Sequence, residues 1–154
     1  MQEQPPHKGL FPWDSEEQIG SLVKMVSIAM RRQIEKVLRP LGVTPQQGQA
    51  LRILLCHPGS THTDLERILN IEKPSVTSLV NGLEKRGWVI RRLHQDDGRI
   101  KQIYLTDHGA AMAEQTVIIV EQLKGGLDQA LSSEETEALK QLLKKVRNYW
   151  DNVV

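Results

Sequence analysis

The chain has a single cysteine, Cys56, among 154 residues, and only one Phe, two Tyr and three Trp. One cysteine excludes a framework of internal disulfides and fits a reducing cytoplasm. No apolar run approaches the ~18 residues that a membrane-spanning helix needs. The opening Met1-Gln2-Glu3-Gln4-Pro5-Pro6 lacks the cationic start and apolar core of a secretory signal. Neither sign of charge dominates, with a formal net charge of +1, so overall basicity does not mark a partner. His7, His57, His62, His94 and His108 form no i, i+4 pair and have no Cys-x-x-Cys companion, so no metal site is expected. Lys124-Gly125-Gly126 is not preceded by a strand and is not a phosphate loop. Ser75 has no base near it in sequence, and no nucleophile–base set is apparent, so neither an enzyme nor a cofactor is expected. Internal repeats, low-complexity stretches and a second domain are also missing.

What is present is concentrated between Thr61 and Thr106. Thr61-x-x-Asp64 places an acceptor ahead of the free N–H groups of a helix, with a carboxylate in its first turn. Leu65, Ile68 and Leu69 follow on one predicted face. Asn70-Ile71-Glu72 is a short break, and Pro74 suits the first position of a second helix because its missing N–H costs nothing there. Val76, Leu79, Val80 and Leu83 recur at i, i+3, i+4, i+7, and Lys85-Arg86-Gly87 supplies terminal cations and a stop. The opposite face carries Ser75, Ser78, Asn81 and Gly82, with Thr77 at its border and Lys73 at its entry. Solvated helix faces favour Glu, Lys and Arg, which are better helix formers than Ser, Thr or Asn. A run of short hydrogen-bonding side chains suits insertion into a DNA major groove, about 12 Å wide, although a short polar face on an ordinary surface helix fits the pattern as well.

The next segment adds to the first reading. Residues 88–93 and 100–105 are rich in strand formers and are separated by turn chemistry at Gln95-Asp96-Asp97-Gly98. The hairpin carries Arg91, Arg92, His94, Arg99 and Lys101. An Arg beside a Gly at an exposed tip suits a narrow minor groove, where the potential is most negative. Asp97 fits a supporting role at the wing tip, pairing with Arg91 or Arg99. From 73 to 101 there are seven Lys/Arg against three acids, and from 107 to 154 five against eight, giving +4 and −3. One end of the molecule suits phosphate and the other does not.

Gly87-Trp88-Val89-x-Arg91, Asp97-x-Arg99 and Leu105-Thr106-x-x-Gly109, together with Leu65…Ile71…Ser75-Val76-Thr77…Leu83-Glu84, resemble the signature of the MarR (multiple antibiotic resistance regulator) family of bacterial transcription factors. The motifs cover about 61–109, and the helical layout of the remainder fits. The resemblance implies a mainly α fold with a small β-hairpin wing, and a homodimer that binds double-stranded DNA at a pseudo-palindromic operator. It further implies a repressor released by a small molecule, an oxidant or occasionally a metal. The expected DNA-binding residues are Lys73, Ser75, Thr77, Ser78, Asn81, Arg91, Arg99 and Lys101, with Asp97 supporting the wing tip. The alternatives are an oxidant-sensing regulator acting through Cys56 and a winged-helix module that binds protein. Modules of that last kind tend to lose the basic wing and the short polar helix face, both of which this chain has.

The flanks read as a dimer scaffold around a winged helix-turn-helix lobe at 44–106, all in one domain, 1–154. Residues 1–13 read as an irregular arm. A helix over 14–41 opens at Asp14-x-x-Glu17 and carries the stripe Ile19, Leu22, Val23, Val26, Met30, Ile34, Val37, Leu38 and Leu41. Thr44-Pro45-Gln46-Gln47 starts a helix through Leu51, Leu54 and Leu55, in which Cys56 is expected as a small buried hydrophobe. In 107–154, one helix runs from Asp107 to about Gly125-Gly126 with Met112, Thr116, Ile119, Val120, Leu123 and Leu127 on its face. A second, capped by Ser132-x-x-Glu135, carries Leu139, Leu142, Leu143, Val146, Tyr149, Trp150 and Val153. These stripes exceed what one small lobe can cover, which points to a two-fold dimer.

Overall fold

A computed structural model describes residues 18–153. The helices are α1 (Ile19–Leu38), α2 (Pro45–Cys56), α3 (His62–Leu69), α4 (Lys73–Lys85), α5 (Asp107–Gly125), α6 (Leu127–Ala130) and α7 (Ser133–Asn152). The strands are β1 (Ser60–Thr61), β2 (Val89–Leu93) and β3 (Lys101–Leu105), in the order β1-β3-β2 with both pairings antiparallel. Mainly helical architecture with a small wing is the expected fold class. The chain divides into two units, the first ending at Pro45 and the second beginning at Gln46. Among the described residues, no helix is long and apolar enough to cross a membrane.

In the first unit, α1 stops at Leu38 rather than running to Leu41, and a 3-10 turn spans Arg39–Leu41. Pro40 accounts for the difference, since its ring clashes with the preceding turn and it offers no N–H to a helix interior. Gly42, at φ 64, closes the turn by donating to the Arg39 carbonyl. Ile19, Val26 and Met30 of the expected stripe are exposed. The arm at 1–13 and the helix start at Asp14-x-x-Glu17 fall outside the described residues.

In the second unit the core consists of Leu51 and Leu54 from α2, Leu65 from α3, Val76, Leu79, Val80 and Leu83 from α4, Trp88 and Val89 at the start of the wing, Ile103 from β3, and Ala113 from α5. Each fully buried Leu or Val contributes about 1.5–3 kcal/mol of apolar transfer. The turn between α3 and α4 is set by Asn70, a non-glycine residue at φ 51, in the left-handed region that Asn tolerates. Ile68, expected in the buried stripe, is exposed, because Leu65 and Leu69 alone span the side of this short helix that turns inward. Cys56 is also exposed, contrary to expectation. It lies two residues beyond buried Leu54, about 200° around the helix from it. The sequence also did not reveal β1, which pairs Ser60 with Ile103 and completes the sheet. Two residues are too few to show a strand period.

Thr106 joins the wing to α5. Its hydroxyl donates to the Gly87 carbonyl at 2.6 Å and accepts from the Gly109 N–H at 3.0 Å, capping α5, while its own N–H donates to the Trp88 carbonyl at 3.0 Å. Gly109 packs so tightly that a Cβ there would lie 1.8 Å from the Trp88 carbonyl oxygen. Along α5 the buried positions are Gly109, Ala113 and Thr116, all small, which permits close approach. Met112, Ile119, Val120 and Leu123 are only half-buried and Leu127 is exposed, so the buried strip is narrower than the expected face. By contrast α7, capped as expected by the reciprocal Ser132–Glu135 pair, buries none of its residues, and Leu142 and Trp150 are 57% and 66% exposed.

Gly109→Ala is therefore expected to cost about 1–3 kcal/mol or more, as overpacking against rigid backbone does. Gly125→Ala, where a Cβ meets nothing within 4 Å, is the control and is expected to be neutral or slightly stabilising. Urea unfolding of both variants tests this.

Candidate nucleic-acid interface

The candidate interface is built on α3, α4 and the wing. α3 is fixed by a complete capping box. Asp64 N–H donates to the Thr61 hydroxyl oxygen at 3.2 Å, and Thr61 N–H donates to the Asp64 carboxylate at 2.8 Å. These bonds, first from the backbone and then from the hydroxyl of Thr61, hold the Asp64 carboxyl below its ordinary pKa. α4 begins at Lys73, one residue ahead of the expected start, with Pro74 in its first turn. Its two faces separate as the 3.6-residue period requires. Val76, Leu79, Val80 and Leu83 are buried, and Ser75, Thr77, Ser78 and Asn81 are exposed.

The exposed residues are not equivalent. Lys73 lies at the entry of α4, and Ser75 and Ser78 present their hydroxyls on its outer face. Thr77 donates its hydroxyl hydrogen back to the Lys73 carbonyl at 3.1 Å, leaving the oxygen's remaining lone pair outward. Asn81 is engaged by Arg91, whose Nη2 donates to Asn81 Oδ1 at 2.5 Å and whose Nη1 donates to the Glu84 carboxylate at 2.9 Å. The Arg91 side chain is 22% exposed. It thus ties the wing to the outer face of α4 and stands apart from the other expected contact residues.

Beyond Leu93 the wing turns through residues 94–100. His94 N–H donates to the Ile100 carbonyl at 2.8 Å, and Ile100 N–H to the Asp97 carbonyl at 3.0 Å. Asp97 supports the tip, but not through a guanidinium as expected: its carboxylate accepts the backbone N–H of Arg99 at 2.9 Å. The Asp97-x-Arg99 spacing is that of a side chain folding the backbone two residues on. Arg99 is exposed at the tip and Lys101 at the start of β3. Arg92 lies over the Tyr104 ring at 5.3 Å, which occupies one face of its guanidinium. The contribution of Glu84 was not visible in the sequence beyond its place in the family pattern, because its partner is seven residues away on a different element.

The electrostatics of this face converge at His62, the first residue of α3. Its pKa is lowered, first by burial and then by the positive charge of Arg91, with smaller effects from Lys101 and Lys73, while Glu66 opposes. Charges from α4, β2 and β3 therefore act on one place, and the positive potential inferred from the local sequence charge is gathered on one side of the lobe. An arrangement of this kind, a narrow helix with short hydrogen-bonding groups beside a cationic hairpin, can enter one groove and reach the adjacent one.

Because the two faces of α4 are separate, changes on them are expected to act differently. Leu79→Ala leaves a cavity and should cost about 2–5 kcal/mol of stability. Ser78→Ala removes an exposed hydroxyl and should stay within about ±0.5 kcal/mol. Thermal melting of the two variants distinguishes them, and equal losses would contradict the face assignment.

Known proteins share this architecture. The family model described as the MarR family matches residues 41–100. The multiple antibiotic resistance protein MarR of Escherichia coli K12 is 33% identical over 129 residues, covering 83% of this chain and 90% of that protein. An HTH-type transcriptional repressor of Mycobacterium bovis is 26% identical over 128 residues, covering 83% of this chain and 92% of that protein. Among solved structures, the S. aureus MepR–DNA complex superposes with a TM-score of 0.82 at 29% identity, covering 87% of this chain and 99% of that one. A mutant MarR from E. coli complexed with operator DNA gives 0.77 at 32% identity, covering 83% and 92%. With that identity over nearly the full length of its relatives, and with the expected fold, this chain belongs to the MarR family.

Proposed function

We propose that this protein is a sequence-specific transcriptional regulator, a repressor, that binds a pseudo-palindromic operator in double-stranded DNA as a homodimer. The observation that carries this reading is the exposed face of α4, with Ser75, Thr77, Ser78 and Asn81 outward, beside a wing that carries Arg99 and Lys101. α4 is the helix for the major groove and Arg99 the side chain for the minor groove. Lys73 and Lys101 supply phosphate contacts that fix register without reading sequence. Relatives named as repressors, and structures of relatives titled as DNA complexes, support the same reading. The working location is the cytoplasm and the activity is binding, not catalysis. A small-molecule effector that releases the DNA completes the proposal, as the family resemblance implies.

The dimer part of the proposal rests on apolar faces that the monomer leaves in water. Leu139, Leu142, Leu143, Tyr149 and Trp150 of α7 are exposed, and so are Ile19, Leu22, Val23 and Val26 of α1. Apolar surface left exposed along a helix face marks an interaction site. The assignment of 14–41 and 107–154 to dimerisation and of 44–106 to DNA binding follows. A dimer sets two copies of α4 about one DNA turn apart, about 34–36 Å, as a two-fold operator requires.

Light scattering at micromolar concentration should give twice the chain mass of 17.5 kDa. A clean monomer would contradict the dimer and the two-half-site operator together. On a genomic operator, Arg99→Ala should weaken binding by about 1–3 kcal/mol while leaving the melting temperature and the dimer unchanged. A fall in melting temperature without a loss of affinity would make Arg99 structural and remove the wing from the interface.

A further inference from the structure

Asn81 carries the one carboxamide among the four small polar residues on the outer face of α4, and it is the group there whose donor and acceptor are separate atoms. Which end faces the groove decides which base it can read. A guanidinium holds only donors, so the atom turned toward Arg91 must be the oxygen, and Arg91 Nη2 indeed donates to Oδ1. The guanidinium is fixed in turn. Nη1 is held by the Glu84 carboxylate, one turn along α4 from Asn81. Arg91 also stands opposite Ile103 in the β2–β3 register, on the side of the sheet where Ile103 is buried, so the strand directs it toward α4 rather than into solvent. Two residues on one helix face and one strand residue thus form a fork that turns the Asn81 oxygen toward Arg91, engaging one of its two lone pairs, and makes Nδ2, with its two N–H groups, the opposite end of the amide.

We propose that Arg91 and Glu84 are positioning residues that make Asn81 a donor-only reader, selecting an acceptor edge, guanine above all, at one position of each operator half-site. A free asparagine reads adenine by accepting from N6 and donating to N7, which needs both ends of the amide. Guanine instead presents two neighbouring acceptors, N7 and O6, to the major groove, matching a group that only donates. The local charge pattern gives no hint of this, since Arg91 taken alone reads as one more phosphate contact.

This inference rests on the DNA-binding reading above, and its test separates the two. The full-length protein is used to select from randomised duplexes, and the bound pools are sequenced for the parent, Asn81→Ala, Arg91→Ala and Arg91→Lys. The parent should select guanine at one position per half-site, and Asn81→Ala should reduce the preference at that position by roughly tenfold, the size of a single base mismatch. Arg91→Ala, which frees the amide to present both ends, should shift that same position toward adenine while preferences elsewhere stay. Arg91→Lys, which still donates to Oδ1, should keep guanine. Should Arg91→Ala not fold by circular dichroism, Arg91→Met, which keeps the apolar stem and removes every donor, should give the same shift. The proposal is overturned if the Asn81-dependent position is adenine in the parent pool, if Asn81→Ala alters no position, or if freeing the amide leaves guanine in place. If the parent retains no duplex at all, the DNA-binding reading falls and takes this inference with it, whereas retention with an unshifted preference sinks this inference alone.

Discussion

The placement of α4, the wing and α5 depends on one crowded junction, where the backbone of Gly87-Trp88 meets the start of α5. Thr106 makes three hydrogen bonds there, and Gly109 lets α5 approach until no Cβ could fit against the Trp88 carbonyl. Gly87 and Trp88 connect α4 to β2, so the junction ties together the end of α4, the origin of the hairpin and the start of α5. Trp88 is buried, with the Arg86 guanidinium 4.5 Å from its ring centroid and His108 against its edge.

The second constraint is the fork of Arg91 on Asn81 and Glu84. It converts a cationic residue into a strut between two elements that both face outward. A partly buried charge needs partners, and the two acceptors on α4 provide them. The same bonds orient the Asn81 amide on the outer face of α4. Burial first, and then the charge of Arg91 with smaller effects from Lys101 and Lys73, lowers the pKa of His62.

Burial differs sharply between the lobe and α7. The lobe buries its apolar residues well, while α7 buries none and exposes its Tyr149–Trp150 pair, whose rings meet edge to face. The charge is divided in the same way, with the cations gathered around α4 and the wing and the acids in excess after Asp107. Exposed apolar residues and concentrated positive charge are therefore carried by different segments of one short chain.

Sequence by itself determined what local periodicity and capping can specify. The two faces of α4 follow from a 3.6-residue period, the starts of α3 and α7 from Thr61 and Ser132, and the wing strands from runs of β-formers. The family signature joined these into one fold. Tertiary structure decided whatever depends on elements distant in sequence. Arg91 acquires its partners only once the β2–β3 register aims it at α4, and Gly109 shows its purpose only when α5 lies against Trp88. β1 exists only because β3 is there to pair with it. Cys56 and Ile68 are exposed because each helix turned a different neighbour inward. Helix faces and caps are encoded within a few neighbouring residues, whereas the direction of a side chain toward another element is set by packing that no local stretch of sequence contains.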